Sequence, residues 1–162
     1  MKRLCIIVFL IIVATTATAG TNPFGVRGGW ATSPDQFFVG GQLLAKDLSP
    51  EMNIVPNVEF GFGDNISIYS FNAALHYAFL SSNMNGFQPY VGGELGFNVI
   101  NYDDEISGGV SSSLKSQNKM VINGVAGMKK RMDDKKEMFF ELKLGLSDYA
   151  NDLKILAGLN FF

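Results

Sequence analysis

Tyr69-Ser70-Phe71-Asn72-Ala73-Ala74-Leu75-His76-Tyr77-Ala78-Phe79 alternates with a period of two. Tyr69, Phe71, Ala73, Leu75, Tyr77 and Phe79 share one side, and Ser70, Asn72, Ala74, His76 and Ala78 the other. Successive side chains of a strand point to opposite faces, so the segment reads as a strand with one continuously apolar face. The pattern recurs outward in both directions. Phe37, Val39 and Leu43 oppose Gln42 and Lys46; Phe87, Val91, Leu95, Phe97 and Val99 oppose Gln88, Tyr90, Glu94 and Asn98; Met138, Phe140, Leu142 and Leu144 oppose Glu141 and Lys143. Turn signals bound eight such segments, at about 24–32, 36–46, 53–63, 66–79, 87–101, 119–131, 137–147 and 153–162. No stretch competes as a helix.

Two arrangements satisfy this alternation: a soluble barrel or sandwich with its apolar face inward, or a membrane barrel with that face outward. The inside of an eight-stranded barrel is narrow and is just filled by side chains. Gly40, Gly61, Gly63, Gly92, Gly96, Gly145 and Gly158 all fall on the polar face, which therefore suits the lumen better than the crowd of Phe, Tyr and Leu. The expected fold is all-β, an eight-stranded antiparallel up-and-down transmembrane β-barrel. With both termini periplasmic, Trp30, Phe37, Phe62, Tyr69 and Phe97 form an outer aromatic girdle. Phe24, Tyr77, Phe79, Phe87, Phe140 and Phe161 form a periplasmic one. The longest connection, Asp103 to Asn118, falls outside, and Gly63-Asp64-Asn65 reads as a tight hairpin. Pro56 fits worst, because proline removes a ladder hydrogen bond, so the third strand is expected to start near Asn57 or to carry a bulge.

Residues 1–19 read as a cleaved signal peptide, with Lys2 and Arg3 preceding an apolar run and Ala17-Thr18-Ala19 as the cleavage site. The apolar run is shorter than the roughly 20 residues of a spanning helix. Residues 20–162 then form one barrel domain. Cys5, the single cysteine, lies in the leader and leaves the remainder without thiol chemistry. Without Lys2 and Arg3 the 13 basic residues become 11, against 15 acidic ones, a net charge of −4. An acidic chain without a basic stripe argues against nucleic-acid binding.

The strand count, the Gln88-Pro89-Tyr90-Val91-Gly92-Gly93-Glu94-Leu95-Gly96 segment and the Ala157-Gly158-Leu159-Asn160-Phe161-Phe162 ending make the chain resemble the OmpA-like and OmpX-like small outer-membrane β-barrels over essentially all of residues 20–162. The resemblance implies a location in the outer membrane, its lipids as surroundings, and recognition of the C-terminal strand by the barrel-assembly machinery. Members usually end on an aromatic in step with the alternating apolar residues. Here the alternating set ends at Phe161, and Phe162 stands one residue beyond.

Arg27, Lys46, Glu59, His76, Glu94, Lys129, Glu141, Lys143 and Lys154 occupy the polar face, with Gln42, Asn57, Asn72, Asn98, Asn123 and Asn160. Opposite charges in a narrow lumen pair to offset desolvation, so the set reads as a structural plug, with a gated ion path as the alternative. His76, the single histidine, reads as a hydrogen-bonded filler. Ala78 stands where the His-x-Ser arrangement of lipid A deacylases would place a serine. Asp103-Asp104-Glu105 departs from calcium-loop spacing and reads as a solvated loop. Lys130, within Lys129-Lys130-Arg131, reads as snorkelling to lipid phosphates. The glycine pairs at 28–29, 40–41 and 92–93 lack a following helix and serve curvature, not phosphate binding.

The resulting expectation is a monomeric, non-enzymatic outer-membrane barrel with a plugged lumen, no cofactor, metal or catalytic residue, and contacts made by its external rim. Two alternatives remain: a soluble periplasmic or secreted barrel whose aromatics line a ligand pocket, and a lipid-modifying outer-membrane enzyme.

Overall fold

The structure, a computed structural model, describes residues 23–44, 48–63, 66–82, 84–102 and 116–162. The expected leader 1–19, Lys46, Asp64 and Asn65 of the expected hairpin, and the acidic cluster 103–105 lie outside the described residues. Eight strands follow in order: β1 (Phe24–Ala31), β2 (Gln36–Leu43), β3 (Met52–Gly63), β4 (Ile66–Ala78), β5 (Gln88–Tyr102), β6 (Ser116–Asp133), β7 (Lys136–Gly145) and β8 (Leu153–Phe161). Each pairs antiparallel with the next, and β1 pairs with β8 from Phe24 opposite Phe161 to Ala31 opposite Lys154. The sheet is thus a closed barrel without a free edge, and every strand finds both neighbours.

Burial follows the period of two. On β4 the described side chains alternate strictly from Ile68 to Ala78, with Ile68, Ser70, Asn72, Ala74, His76 and Ala78 buried. Tyr69, Phe71, Leu75 and Tyr77 on the opposite face are exposed. Across the barrel wall the exposed set is Phe, Leu, Val, Ile and Met, while the buried set contains Arg27, Glu59, Glu94, Glu141, Lys143 and Lys154. Phe71, Leu95 and Leu144 point away from the lumen, at 46%, 59% and 56% exposure. The interior is therefore no apolar ligand pocket.

Some boundaries differ from those read in the sequence. β2 ends at Leu43, and β6 begins at Ser116, three residues early, because Asn101 pairs with Ser116 and continues the β5–β6 ladder. Pro56 neither starts β3 nor causes a bulge. It lies within the strand opposite Ala73 in unbroken register with β4, while pairing with β2 stops at Gln42 opposite Asn57. The proline thus stands just past the end of the β2–β3 ladder, at a strand margin where a missing donor is tolerated. Among the described residues the one register shift between strands lies between Arg131 and Asp133, where β6 meets β7. The lumen also holds more carbon than its polar pattern suggests, with Ala31, Phe38, Phe139 and Leu156 in one buried cluster and Ala78, Tyr90 and Val125 in another.

Candidate functional site: an ion-paired lumen

All eight strands aim polar side chains inward. β1 supplies Arg27, β2 Gln42, β3 Asn57 and Glu59, β4 Asn72 and His76, β5 Tyr90 and Glu94, β6 Asn123, β7 Glu141 and Lys143, and β8 Lys154 and Asn160. The centre is Lys143, 1% exposed, whose Nζ lies 2.8 Å from Glu59 Oε1 and 2.7 Å from Glu94 Oε2. β3 and β7 stand four staves apart in an eight-stave barrel, so the Lys143–Glu59 bridge crosses the lumen.

Glu59 is shared further. Arg27 Nη1 reaches its Oε1 at 3.1 Å and Lys154 Nζ its Oε2 at 2.8 Å. Arg27 Nη2 also donates to Glu141 Oε1 at 3.4 Å, and Tyr90 Oη donates to Glu141 Oε2 at 2.8 Å. Three cations and three carboxylates therefore form one neutral cluster without help from His76. Neutrality matters because an unpaired ion in a water-poor interior costs several kcal/mol, whereas a paired and hydrogen-bonded one costs far less.

Amides complete the carboxylates' coordination. Asn57 Nδ2 donates to Glu94 Oε2 and Asn123 Nδ2 to Glu94 Oε1, both at 2.9 Å, while Asn72 Nδ2 donates to Asn57 Oδ1 at 2.9 Å. Toward the β6–β7 turn Glu137 accepts from Asn160, whose Oδ1 accepts from Gln42 Nε2 at 2.6 Å. Because a carboxylate only accepts, this chain fixes which way both amides face. Aromatic rings cover two of the cations: Arg27 lies 5.6 Å from the centroid of Phe139, and Lys154 Nζ 5.1 Å from that of Phe38. Glycine makes room for these rings and amides. A Cβ on Gly158 would meet the Phe139 ring, and one on Gly96 would meet Asn72 Oδ1.

The structure gathers Arg27, Glu59, Glu94, Glu141, Lys143 and Lys154 into the central cluster. His76 stands at its margin, stacked on Tyr90 at 4.7 Å, with Nε2 3.7 Å from Glu141 Oε2. Lys129 is not part of it; it sits at the rim with Nζ 4.0 Å from Glu137 Oε2. Tyr90, Glu137, Phe38 and Phe139 were missed as members, although each has the strand parity of a neighbour that was named. Between His76, Tyr90, Glu141, Gln42 and Asn160 lies a cavity of about 20 Å³, the size of roughly one water.

On the outer wall Trp30, Phe37 and Phe62 share one rung, since Phe37 pairs with both of the others. At the opposite end Phe24 and Phe161 stack at 5.2 Å. Tyr69, Phe97, Tyr77 and Phe140 are exposed on strands, whereas Phe79 and Phe87 lie in the β4–β5 connection, just outside the strands. The aromatics are not confined to two levels on every side. Phe60 and Phe71 are exposed too, and Phe60 touches Phe62 and Tyr69 at 5.9 and 4.8 Å, forming a column along β3 and β4.

A scan of protein-family models finds no match, and neither does a search of curated protein sequences. Solved structures do match. The chain is similar to the N-terminal β-barrel domain of Pseudomonas aeruginosa OprF, with a TM-score of 0.65 at 17% identity over 87% of this chain and 97% of that one. It is also similar to Neisserial surface protein A (NspA), at 0.59 and 12% identity over 86% and 94% of the two chains. A de novo designed transmembrane β-barrel gives 0.50 and 16% over 88% and 94%. The fold is that of the eight-stranded outer-membrane barrels.

Proposed function

We propose that the chain is a non-enzymatic integral outer-membrane β-barrel whose lumen is closed by the Lys143-centred cluster and whose external rim makes its contacts with the surroundings. The observation that carries this reading is the inversion of ordinary burial. Lys143 and Glu94 are each 1% exposed at the centre, while Leu95 and Leu144 on the same strands are 59% and 56% exposed. In water such a wall would leave an apolar area far beyond the few hundred Å² that a soluble monomer tolerates, whereas hydrocarbon accepts it.

A closed lumen argues for a role as a membrane-fixed scaffold over one as a conduit. The Lys143–Glu59 bridge spans the lumen, the Phe38 and Phe139 rings lie against Lys154 and Arg27, and the cavity beside the cluster among the described residues is about 20 Å³, smaller than a hydrated ion. The leader 1–19 supplies the route of export, and the β8 ending the signal for assembly. A lipid-modifying activity would need a nucleophile beside His76, whose described neighbours include Tyr90, Glu141, Asn53 and Gly92, with Ala78 two residues on.

Refolding into phosphatidylcholine vesicles tests the reading. The folded chain should enter the membrane fraction, run at a different gel mobility before and after heating, and show no stable conductance step in single-channel recording. Recovery in the soluble fraction, or large stable steps, would overturn it.

A further inference from the structure

Most of the outer wall is covered by large side chains, but a groove of about 390 Å³ is let into it where β7, β8 and β1 meet. Its outward-facing residues are Met138 and Phe140 of β7, Ala157 and Leu159 of β8, and Val26 and Gly28 of β1. Two small residues make the depression, since Gly28 pairs with Ala157 and Ala157 with Phe140 in one row. Glycine is not demanded here by crowding as it is at Gly158. A Cβ on Gly28 would meet only Phe38 O at 3.4 Å and Val39 Cγ1 at 3.9 Å.

Below the groove, at the end holding the β6–β7 turn, the next row on the same face is Lys136, Phe161 and Phe24. The two rings form a shelf, and Lys136 is exposed with no ion pair among the described residues. The segment 129–137 carries Lys129, Lys130, Arg131, Lys135 and Lys136 against Asp133, Asp134 and Glu137. Lys129 is engaged by Glu137, Lys130 Nζ reaches Asn85 O at 3.4 Å, and Arg131 lies over the Phe162 ring. Lys136 therefore offers its charge outward at the level where the aromatic shelf marks the edge of hydrocarbon.

We propose that this face binds one anionic phospholipid of the periplasmic leaflet, with an acyl chain lying in the Gly28–Ala157 groove and the headgroup phosphate on Lys136. The proposal rests on the membrane reading above and adds a site to it. Its argument is complementarity on both counts. The groove is apolar and of ligand size. Lys136, a cation without an ion pair among the described residues, stands at its headgroup end, where an anionic lipid gains an attraction that a zwitterionic one lacks. Other small residues face outward, as where Gly93 stands opposite Gly124, but the Gly28–Ala157 groove is the one set beside the Phe24–Phe161 shelf and Lys136.

Native mass spectrometry of the chain extracted from nanodiscs of equal phosphatidylglycerol and phosphatidylcholine gives the test. Folding is checked on the same samples by gel mobility. The unaltered chain should retain one phosphatidylglycerol in preference to phosphatidylcholine. Lys136→Gln should lower that preference about five-fold, the equivalent of one lysine near an anionic surface. Ala157→Phe should abolish retention of either lipid by filling the groove, while Ala73→Phe on β4, at an exposed place far from it, should change nothing. Equal retention of both lipids by the unaltered chain, or retention by Ala157→Phe at the unaltered level, overturns the site but leaves the membrane reading standing. A chain that does not insert into the nanodiscs at all overturns both.

Discussion

Replacing Lys143 by Met removes the central cation while keeping the length and most of the volume of the side chain, so the change isolates charge from packing. Glu59 would keep Arg27 Nη1 at 3.1 Å and Lys154 Nζ at 2.8 Å. Glu94 would keep only the amides of Asn57 and Asn123, because its ion pair is with Lys143 alone among the described residues. Stranding a buried carboxylate costs about 3–5 kcal/mol, which is two to three powers of ten or more in the folding equilibrium. Lys154→Met, which leaves Glu59 with two cations, should cost about 2 kcal/mol, on the scale of one hydrogen bond to a charged group. Adding Glu94→Gln to Lys143→Met removes the stranded charge and should recover most of the loss. Urea-dependent unfolding from vesicles, followed by gel mobility and by the emission of Trp30, the single tryptophan, measures all three variants. The reasoning fails if Lys143→Met costs less than about 1 kcal/mol, or if the double variant is no more stable than the single one.

Leu95→Arg places a cation on the middle of the outer wall and should cost about 2–4 kcal/mol in a bilayer, read from the same urea curves; on a water-facing surface it would be nearly neutral. Tyr90→Phe removes the 2.8 Å hydrogen bond to Glu141 Oε2 and should cost about 1–3 kcal/mol without changing the native gel mobility.

Much of the fold was legible because one local rule generates it. The alternation in 69–79 is strict, and β4 matches it residue for residue from Tyr69 to Ala78. Boundaries drifted where the rule is silent. Ser116 to Asn118 carry no apolar alternation, and they join β6 because β5 extends far enough to pair with them. Pro56 misled because its cost depends on which neighbour its missing donor faces, and that is fixed by where β2 stops.

Membership of the lumen was legible by parity, and its partnerships were not. Lys143 meets Glu59 and Glu94 across 84 and 49 residues of sequence, separations set by the stagger of eight strands. Nothing local to those residues records it. Parity also carried more than was taken from it. Tyr90 stands on the polar face with Glu94 in the sequence, and Phe139 has the parity of Glu141, yet neither ring enters the expected plug. The structure turns these two inward, one to bond Glu141 and the other to cover Arg27.

The outward direction of the apolar face is tested most directly by intermolecular NOEs between lipid acyl methylenes and side chains of the chain in a bilayer nanodisc. Cross-peaks should appear for the Leu95 and Leu144 methyls and the Phe71 ring and be absent for Lys143 and Phe139. Acyl cross-peaks to Phe139, or water cross-peaks to Leu95 and Leu144 in place of lipid ones, would contradict the account.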